Sequence, residues 1–362
     1  MHPAFPAETR FALLTGPLRL ESGVELSQVT VAYRTWGRLN VERDNAVLVC
    51  HALTGSADVD QWWPGLLGPS KALDPSRDFV ICANVLGSCY GSTGPTSLSP
   101  TTGRRYGAGF PAVSVRDMVE VQVRLLDEIG VAEIALVIGG SLGGMQALEW
   151  AALHPERVEA VVAISVGARQ SAWCIGLSEA QRHAIYADAR WREGAYDPAD
   201  PPTAGLAAAR MMAMCSYRHW DEFAARFARE TSPTGNFQVE SYLRHQGEKF
   251  VDRFDANAYL TLTRAMDSHD LGRGRGGHAL ALAAIDTPVL VVGCESDILY
   301  APTEQDELAH HLPRGELAWL DSVHGHDAFL IETEQLGALL VAFRHRQLAL
   351  SRHQRRRHSC QA

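Results

Sequence analysis

The 362-residue sequence has none of the features of a membrane-spanning, secreted or nucleic-acid-binding protein. Its apolar runs, such as residues 160–164, are far shorter than the roughly 20 residues that cross a bilayer. The first residues, Met1 to Pro6, contain neither the basic start nor the apolar stretch of a secretory signal. The 42 acidic residues outnumber the 33 basic ones, so the chain offers no basic footprint for phosphate. We therefore expect a soluble, cytoplasmic protein with no membrane partner and no nucleic-acid partner.

Cysteine is scarce, and its spacing favours neither a disulfide framework nor a structural zinc site. The seven cysteines, at positions 50, 82, 89, 174, 215, 294 and 360, include no Cys-x-x-Cys pair. An odd number of scattered cysteines is typical of reduced thiols in a reducing compartment. We expect no metal and no resident cofactor.

Short apolar runs alternate with helical patterns in the first half of the chain. Runs over 29–33, 46–50 and 79–84 are bounded by polar or turn-forming residues, as buried strands are. Apolar residues then recur at three- and four-residue steps up to position 129, with Gln122 as the one polar residue in that register. Two further strands, over 134–138 and 160–165, flank a helix over 145–154. This alternation predicts an α/β fold, with a mostly parallel sheet and helices on both faces.

A block over residues 169–278 interrupts this alternation. It is rich in arginine, alanine and aromatic residues and contains no convincing buried strand, and its clearest helices are expected over 206–214 and 242–250. Strands over 289–293 and 317–320 follow, with a final helix over 333–344. We predict a core domain over 1–168 and 279–350, a helical insertion over 169–278, and a basic, disordered tail over 351–362. The insertion would cover the carboxyl edge of the sheet, where open α/β sheets bind ligands.

The motif Gly139-Gly-Ser-Leu-Gly143 carries the strongest chemical signal in the chain. It matches G-x-S-x-G between a predicted strand and a predicted helix, which is the context of a nucleophile elbow. Small flanking residues permit a sharp turn that exposes the hydroxyl group of Ser141. A purely structural glycine turn is the alternative, but the strand–turn–helix context favours a nucleophilic serine.

A serine hydroxyl needs a base, itself held by an acid, to act as a nucleophile at neutral pH. In hydrolases with this elbow, the acid and then the histidine follow the serine along the chain. Asp297 lies just after a predicted strand and is the expected acid, with Glu295 as its competitor, whereas Asp286 precedes that strand. After the last predicted strand, His326 and His324 compete as the base. We favour His326 because an apolar run that can anchor it follows directly.

A tetrahedral intermediate also needs two backbone N–H donors, each contributing about 3–4 kcal/mol of stabilisation. The amide of Leu142, directly after the nucleophile, is expected to be one of them. The second should come from the loop after an early strand, where we choose Leu53 in His51-Ala-Leu-Thr-Gly55. An ordinary strand-end loop is the alternative interpretation of that segment.

These residues resemble the homoserine O-acetyltransferases, α/β-hydrolase-fold acyltransferases of methionine biosynthesis. The resemblance covers about residues 10–345. It rests on Gly-Gly-Ser-Leu-Gly-Gly-Met-Gln around Ser141, His51-Ala-Leu-Thr-Gly55, Asn84-Val-Leu-Gly-Ser-Cys-Tyr-Gly-Ser-Thr-Gly-Pro95, Gly247-Glu-Lys-Phe250, Arg264-Ala-Met-Asp-Ser-His-Asp270 and Gly325-His-Asp-Ala-Phe-Leu330. It implies that the helical insertion is a lid that forms a deep tunnel and the contact of a homodimer.

The resemblance implies a ping-pong reaction with L-homoserine and acetyl-CoA as substrates. Ser141 would take the acetyl group, with His326 as base and Asp297 orienting it, and the γ-hydroxyl of L-homoserine would then attack. Arg210 matches the family's substrate-binding arginine and would pair with the amino acid's carboxylate. Asp327 matches the family's substrate-binding aspartate and would meet the ammonium group. Without the resemblance, Arg210 would be interpreted as part of a solvated helix face.

Four other functions stay open. A related enzyme could use succinyl-CoA or accept L-serine, and a succinyl group would require a cationic partner near the tunnel. A plain esterase or thioesterase needs only the triad and the oxyanion donors. A catalytically silent binding protein is disfavoured by the complete Ser, Asp, His order. A metal enzyme is disfavoured because His324-Gly-His-Asp327 has no second ligand cluster or HExxH helix beside it.

Overall fold

The computed structural model describes residues 5–233 and 235–359, with side chains described as far as residue 347. Its strands are β1 (Arg10–Leu13), β2 (Leu18–Arg19), β3 (Glu25–Leu26), β4 (Thr30–Trp36), β5 (Ala46–Cys50), β6 (Phe79–Ala83), β7 (Leu136–Gly140), β8 (Val161–Ile164), β9 (Val289–Cys294) and β10 (Gly315–Leu320). Eight of them form one sheet in the order β1-β4-β6-β5-β7-β8-β9-β10, and β2 and β3 form a separate hairpin. The pairs β1–β4 and β4–β6 are antiparallel, and the rest of the large sheet is parallel. The predicted α/β architecture is therefore confirmed.

The helices lie on both faces of this sheet and in the insertion. They are α1 (Val59–Trp62), α2 (Val115–Glu128), α3 (Leu142–Leu153), α4 (Ala172–Tyr186), α5 (Thr203–Tyr217), α6 (Trp220–Phe227), α7 (Gln238–Val251), α8 (Ala256–Asp267), α9 (His278–Ala283), α10 (Pro302–His311), α11 (Ala328–Ile331) and α12 (Thr333–Ser359). Short 3-10 turns occupy Gly107–Gly109, Pro155–Arg157, Arg192–Gly194 and Gly325–Asp327. None of the described helices combines the length and the apolar character that a bilayer crossing needs.

Local sequence signals explain why the elements begin and end where they do. Ser114 caps α2 by accepting a hydrogen bond from the Asp117 amide, and the Asp117 side chain completes a capping box. The central strands β5, β7, β8 and β9 are buried along their whole length, as expected for a parallel sheet covered on both faces. Two apolar cores result, one on each face of the sheet. The loops that follow these strands are therefore anchored to a well-packed core.

The insertion contains helices and no strand among the described residues from 169 to 278, as the sequence predicts. Its helix α5 packs closely against α4 and α7 because glycines stand at the contacts. A Cβ atom on Gly205 would lie 2.7 Å from the Ala184 carbonyl oxygen, and one on Gly247 would lie 3.0 Å from the Ala207 carbonyl oxygen. These glycines let the helix backbones approach and fix α5, whose far end reaches the candidate site.

Several observed elements differ from the predicted ones. Strand β7 continues through Gly139 and Gly140 because both pair in the ladder, Gly139 with Cys50 and Gly140 with Ile164. Strand β1 was not predicted, since it is a mostly exposed edge strand without a buried apolar run. Helix α12 continues to Ser359 rather than ending near Arg344, because no glycine or proline follows Arg344 to end it.

The domain boundaries predicted from the sequence, including the tail over 351–362, stay a prediction. Residues 1–4 of the predicted core domain and residues 360–362 of the predicted tail lie outside the described residues. The described cysteines are all free thiols, and Cys360 lies outside the described part.

Candidate active site

Ser141 lies at a sharp turn between β7 and α3. Its backbone has φ +56° and ψ −123°, a conformation that costs a non-glycine residue about 1–3 kcal/mol. Glycines make the turn possible, because a Cβ atom on Gly143 would overlap the Cys50 carbonyl oxygen and one on Gly139 would overlap the Gly143 carbonyl group. The strained serine and its close-packed glycines are the geometry of the predicted nucleophile elbow.

Asp297 and His326 meet in the loops that follow β9 and β10. Their side chains are almost fully buried, and His326 Nδ1 lies 2.8 Å from Asp297 Oδ2. The other oxygen, Asp297 Oδ1, accepts hydrogen bonds from the backbone amides of Leu299, at 2.8 Å, and Tyr300, at 3.0 Å. Because a carboxylate only accepts, the proton of this contact belongs to His326 Nδ1, and Nε2 is left as the basic nitrogen.

The environment of His326 raises the pKa of its imidazole. Burial alone would lower this pKa, but the negative charge of Asp297, the hydrogen bond to it and the charge of Asp327 together outweigh the burial. Aromatic rings surround the imidazole: its centroid lies 5.3 Å from that of Tyr300 and 5.8 Å from those of Tyr217 and Phe329. The ring is therefore held in one orientation by contacts on several sides.

Phe329 connects this histidine to the elbow. A Cβ atom on Gly140, the residue before Ser141, would lie 2.7 Å from the Phe329 ring, and the same ring meets His326 edge-on. The loops that carry Ser141, Asp297 and His326 all follow parallel strands, so they leave the sheet at the same edge. The structure thus brings the three predicted catalytic residues to one edge of the sheet.

The competing residues point elsewhere. Glu295 and Asp286 are exposed. His324 Nδ1 lies 3.2 Å from Glu222 Oε2, and 30% of its side chain is exposed. Among the acids and histidines left open by the sequence, Asp297 and His326 are the pair that meets.

The predicted oxyanion donors are both buried. Leu142 opens α3 directly after Ser141, and Leu53 lies in the loop after β5. No described group accepts a hydrogen bond from either amide. The loop is held by His51, whose Nδ1 lies 2.8 Å from the Ala52 carbonyl oxygen and whose Nε2 lies 3.1 Å from the Val85 amide. Burial lowers the pKa of His51 to about 4, so this imidazole is neutral at pH 7.

A buried glutamine network joins this loop to the elbow. Gln146 Nε2 donates to the carbonyl oxygens of Leu142, at 3.0 Å, and His51, at 3.4 Å. Gln122 donates to Gln146 Oε1 at 2.7 Å and accepts from the indole of Trp150, also at 2.7 Å. This network was not predicted from the sequence. Its signal was Gln122, a lone polar residue on the apolar face of α2.

Arg210 lies on α5 and lines a cavity of about 480 Å³ beside the loop that carries Leu53. Its guanidinium group lies 5.5 Å from the ring centroid of Tyr217 and 5.2 Å from that of Phe250. Among the described residues, no carboxylate lies within ion-pair distance of Arg210. Arg253 lines the same cavity, but its Nη1 is engaged with the Thr54 carbonyl oxygen, at 2.8 Å, and the Tyr90 hydroxyl, at 2.6 Å.

Asp327 follows His326 directly and is mostly buried. Its Oδ2 lies 3.0 Å from Nε of Arg218, the residue at the end of α5. Burial raises the pKa of Asp327, and the positive charges of Arg218, His326 and Arg210 oppose that rise without cancelling it. The region thus contains a cation, Arg210, in the cavity and an anion, Asp327, directly beside His326.

No set of three potential metal ligands occurs among the described residues. The histidines and the aspartate of 324–327 have separate partners, namely Glu222, Asp297 and Arg218. The side chains of this segment are therefore engaged with partners in the protein.

Comparisons with known proteins agree with this geometry. The family model of the alpha/beta hydrolase fold matches residues 45–333. A homoserine O-acetyltransferase from Trichormus variabilis is 57% identical over 338 residues, which cover 93% of this chain and 94% of its own.

Solved structures extend the likeness. A crystal structure of homoserine O-acetyltransferase from Bacillus anthracis aligns with a TM-score of 0.86 at 25% identity, covering 93% of this chain and 97% of its own. Esterase E22 aligns with a TM-score of 0.86 at 27% identity, covering 93% and 99%. The identity to the sequence relatives is high and spans nearly the whole chain, so it decides between these two kinds of neighbour. The chain belongs to the homoserine O-acetyltransferase family of α/β-hydrolase-fold enzymes.

Proposed function

We propose that this enzyme transfers an acetyl group from acetyl-CoA to the γ-hydroxyl of L-homoserine through an acyl-enzyme on Ser141. The observation that carries the proposal is the buried contact of 2.8 Å between Asp297 and His326, located at the same sheet edge as the strained Ser141. Beside it lies a cavity lined by Arg210, a cation with no carboxylate partner among the described residues. A hydrolytic site needs the first feature only, whereas an amino acid acceptor also needs the second.

In the first half of the reaction, the Ser141 hydroxyl attacks the thioester carbonyl carbon and His326 Nε2 takes its proton. Negative charge then develops on the carbonyl oxygen, and the amides of Leu53 and Leu142 are the proposed donors to it. The carbon–sulfur bond breaks, His326 gives its proton to the leaving sulfur, and free thiol departs. The acetyl group stays on Ser141 as an ester.

In the second half, L-homoserine replaces the thiol. Its γ-hydroxyl attacks the ester carbon while His326 accepts the hydroxyl proton, and the same proton returns to Ser141 when the ester bond breaks. Arg210 pairs with the carboxylate of the amino acid and Asp327 with its ammonium group. The helical insertion, acting as a lid, keeps water away from the acyl-enzyme, which would otherwise hydrolyse.

The assembly and location remain predictions. Exposed tryptophans support a homodimer through the lid, since Trp173 on α4 is 57% exposed and Trp220 on α6 is 74% exposed. The cytoplasm stays the predicted location, and methionine biosynthesis is the pathway of the family. No resident cofactor is proposed, because acetyl-CoA acts as a co-substrate.

Two alternatives each have one supporting observation. Succinyl transfer needs a cation for the extra carboxylate, and Arg253 lines the same cavity as Arg210. Its engagement with Thr54 and Tyr90 argues against that use. Plain ester or thioester hydrolysis is supported by the likeness to esterase E22.

Thiol release separates these functions. We would measure it from acetyl-CoA alone, with L-homoserine and with L-serine, and then from succinyl-CoA, using Ser141→Ala as the blank. Fast release that requires L-homoserine supports the proposal. Continued release without an acceptor, beyond one thiol per Ser141, would show a hydrolase. Turnover of L-homoserine with succinyl-CoA but not with acetyl-CoA would show the succinyl branch.

A further inference from the structure

The end of lid helix α5 packs directly against the loop that carries the proposed base. Gly325 opens that loop with φ +62°, and a Cβ atom on it would lie 2.9 Å from the His219 amide nitrogen and 3.0 Å from the Arg218 carbonyl carbon. Only glycine permits so close an approach at this backbone conformation. The position of Asp327, two residues later, is therefore set by the end of α5.

Arg218 makes the ionic part of this contact. Its Nε lies 3.0 Å from Asp327 Oδ2, and its Nη1 lies 2.8 Å and 3.1 Å from the two oxygens of Glu222. The side chains of Arg218 and Asp327 are each only 16% exposed, and that of Glu222 is 10% exposed. Charges this sheltered from water interact more strongly than a surface pair does.

The contact with Asp327 is an ion pair without hydrogen-bond alignment. Arg218 Nε has no hydrogen-bond partner, and no described group donates a hydrogen bond to the Asp327 carboxylate. The oxygens of Asp327 therefore keep their capacity to accept hydrogen bonds from a ligand. Arg218 supplies charge and position while Glu222 occupies its better-aligned donors.

We propose that Arg218 is a positioning residue that keeps Asp327 ionised and in place for the ammonium group of the acceptor. This inference rests on the proposed function, since it concerns recognition of L-homoserine. Arg210 lies on α5 and Arg218 at its end, so one lid helix would organise the sites for both charged groups of the amino acid.

The charges that face Asp327 determine the sign of the effect. Burial raises the pKa of Asp327; Arg218 opposes this most strongly, followed by His326 and Arg210, while Glu222 adds to the rise. The charge of Glu222 is itself shared with His324, at 3.2 Å, and Arg226, at 3.9 Å. A protonated Asp327 cannot pair with an ammonium ion. Recognition is therefore lost as the pH falls through this raised pKa, and removing Arg218 moves the loss to higher pH.

The test compares two acceptors, L-homoserine and 4-hydroxybutyrate, which has the same hydroxyl and carboxylate but no ammonium group. The preference is the ratio of their kcat/KM values with acetyl-CoA, measured at about pH 6.5 and about pH 8.5. We expect Arg218→Gln to lower the preference about tenfold or more, most strongly at the lower pH, as loss of one charge-assisted contact would. The burst of thiol release from acetyl-CoA should be unchanged, and Arg218→Lys should restore most of the preference.

Arg226→Gln is the matched control, because it removes the same charge from the neighbourhood of Glu222 without touching Asp327. It should keep the preference of the unmodified enzyme. If Arg218→Gln lowers kcat/KM equally for both acceptors, the preference is unchanged. Arg218 would then have a purely structural role, and the inference would be overturned.

Two further results keep the test decisive. If Arg218→Gln does not fold, Arg218→Met takes its place, because it also removes the charge while keeping an apolar stem. A preference in that variant that equals that of the unmodified enzyme at both pH values overturns the inference. If the unmodified enzyme acetylates neither acceptor, the proposed function itself fails, and this is seen before any variant is compared. Ordinary turnover of L-homoserine with an unaffected Arg218→Gln preference would reject the positioning role alone.

Discussion

The sheet side and the lid side of the site are built by different means. On the sheet side, Ser141 and Asp297 are fixed by backbone: the first by a strained turn between close-packed glycines, the second by the amides of Leu299 and Tyr300. On the lid side, Arg210 is held by two aromatic rings and Arg218 by carboxylates. Backbone geometry tolerates little change, whereas side-chain contacts can be altered one at a time.

This difference suggests a division of labour. We expect the sheet side to supply the acyl transfer itself, and the solved structures that align with this chain include both an esterase and an acetyltransferase. The lid side would then choose what attacks the acyl-enzyme. Variants on the sheet side should abolish both half-reactions, and variants on the lid side should weaken only the second.

Ser141→Ala should have the largest effect, with acetyl transfer reduced about 10⁴-fold or more because no acyl-enzyme can form. Thermal unfolding should change little, since alanine only removes the hydroxyl. Ser165→Ala is a matched control, because Ser165 is also buried, also has positive φ and also follows a parallel strand. Retained transfer in Ser141→Ala would contradict the assignment of the nucleophile.

Asp297→Asn should reduce transfer by about 10³- to 10⁴-fold, because the amide no longer stabilises the imidazolium of His326 or fixes its tautomer. Both half-reactions should slow together in rapid-mixing measurements. Glu295→Gln, at an exposed position in the same loop, should have almost no effect. The opposite ranking of these two variants would show that the acid was assigned wrongly.

Arg210→Ala should affect the second half-reaction alone. We expect the KM for L-homoserine to rise roughly 10- to 100-fold, in line with the loss of a charge-assisted hydrogen bond. The acylation burst from acetyl-CoA should be nearly unchanged. Arg226→Ala removes a guanidinium that likewise lies over two aromatic rings, and it should leave the KM as it was. If Arg210→Ala abolished the acylation burst, the division of labour between the sheet side and the lid side would be wrong.

The smallest effect is a displacement of the pH profile. His326 must be neutral to accept a proton, and Asp297 raises its pKa above the ordinary value of 6.5. Acylation should therefore fall as the pH drops through a midpoint above 6.5. Measuring kcat/KM for acetyl-CoA against pH locates this midpoint. A midpoint below 6.5 would mean that burial, rather than the charge of Asp297, determines the pKa of the imidazole.

The sequence made the sheet side largely predictable. Continuous apolar runs marked β5 and β9, and the G-x-S-x-G motif located the elbow because only small residues fit that turn. Chain order then reduced the candidates for the acid to Asp297 and Glu295, and those for the base to His326 and His324. The contacts favour one neighbour as the base, since His324 meets Glu222 while His326 meets Asp297.

The lid side could not be predicted in the same way. Arg218 and Asp327 are 109 positions apart, and nothing in local patterning shows that α5 ends against the loop after β10. Arg210 entered only through a family resemblance, because an arginine on a helix is ordinarily solvated. Long-range pairs of this kind depend on tertiary packing, which one sequence without its fold does not reveal.

The central claim is that the acetyl group passes through Ser141 and leaves it only for an amino acid accepted by the lid. Intact-protein and peptide mass spectrometry after mixing enzyme with acetyl-CoA tests this directly. We predict one added acetyl group on the peptide that contains Ser141, stable without an acceptor and lost at once when L-homoserine is added. An enzyme that turns over L-homoserine without ever carrying acetyl on Ser141, or that loses the group to water as fast as to L-homoserine, would contradict the account.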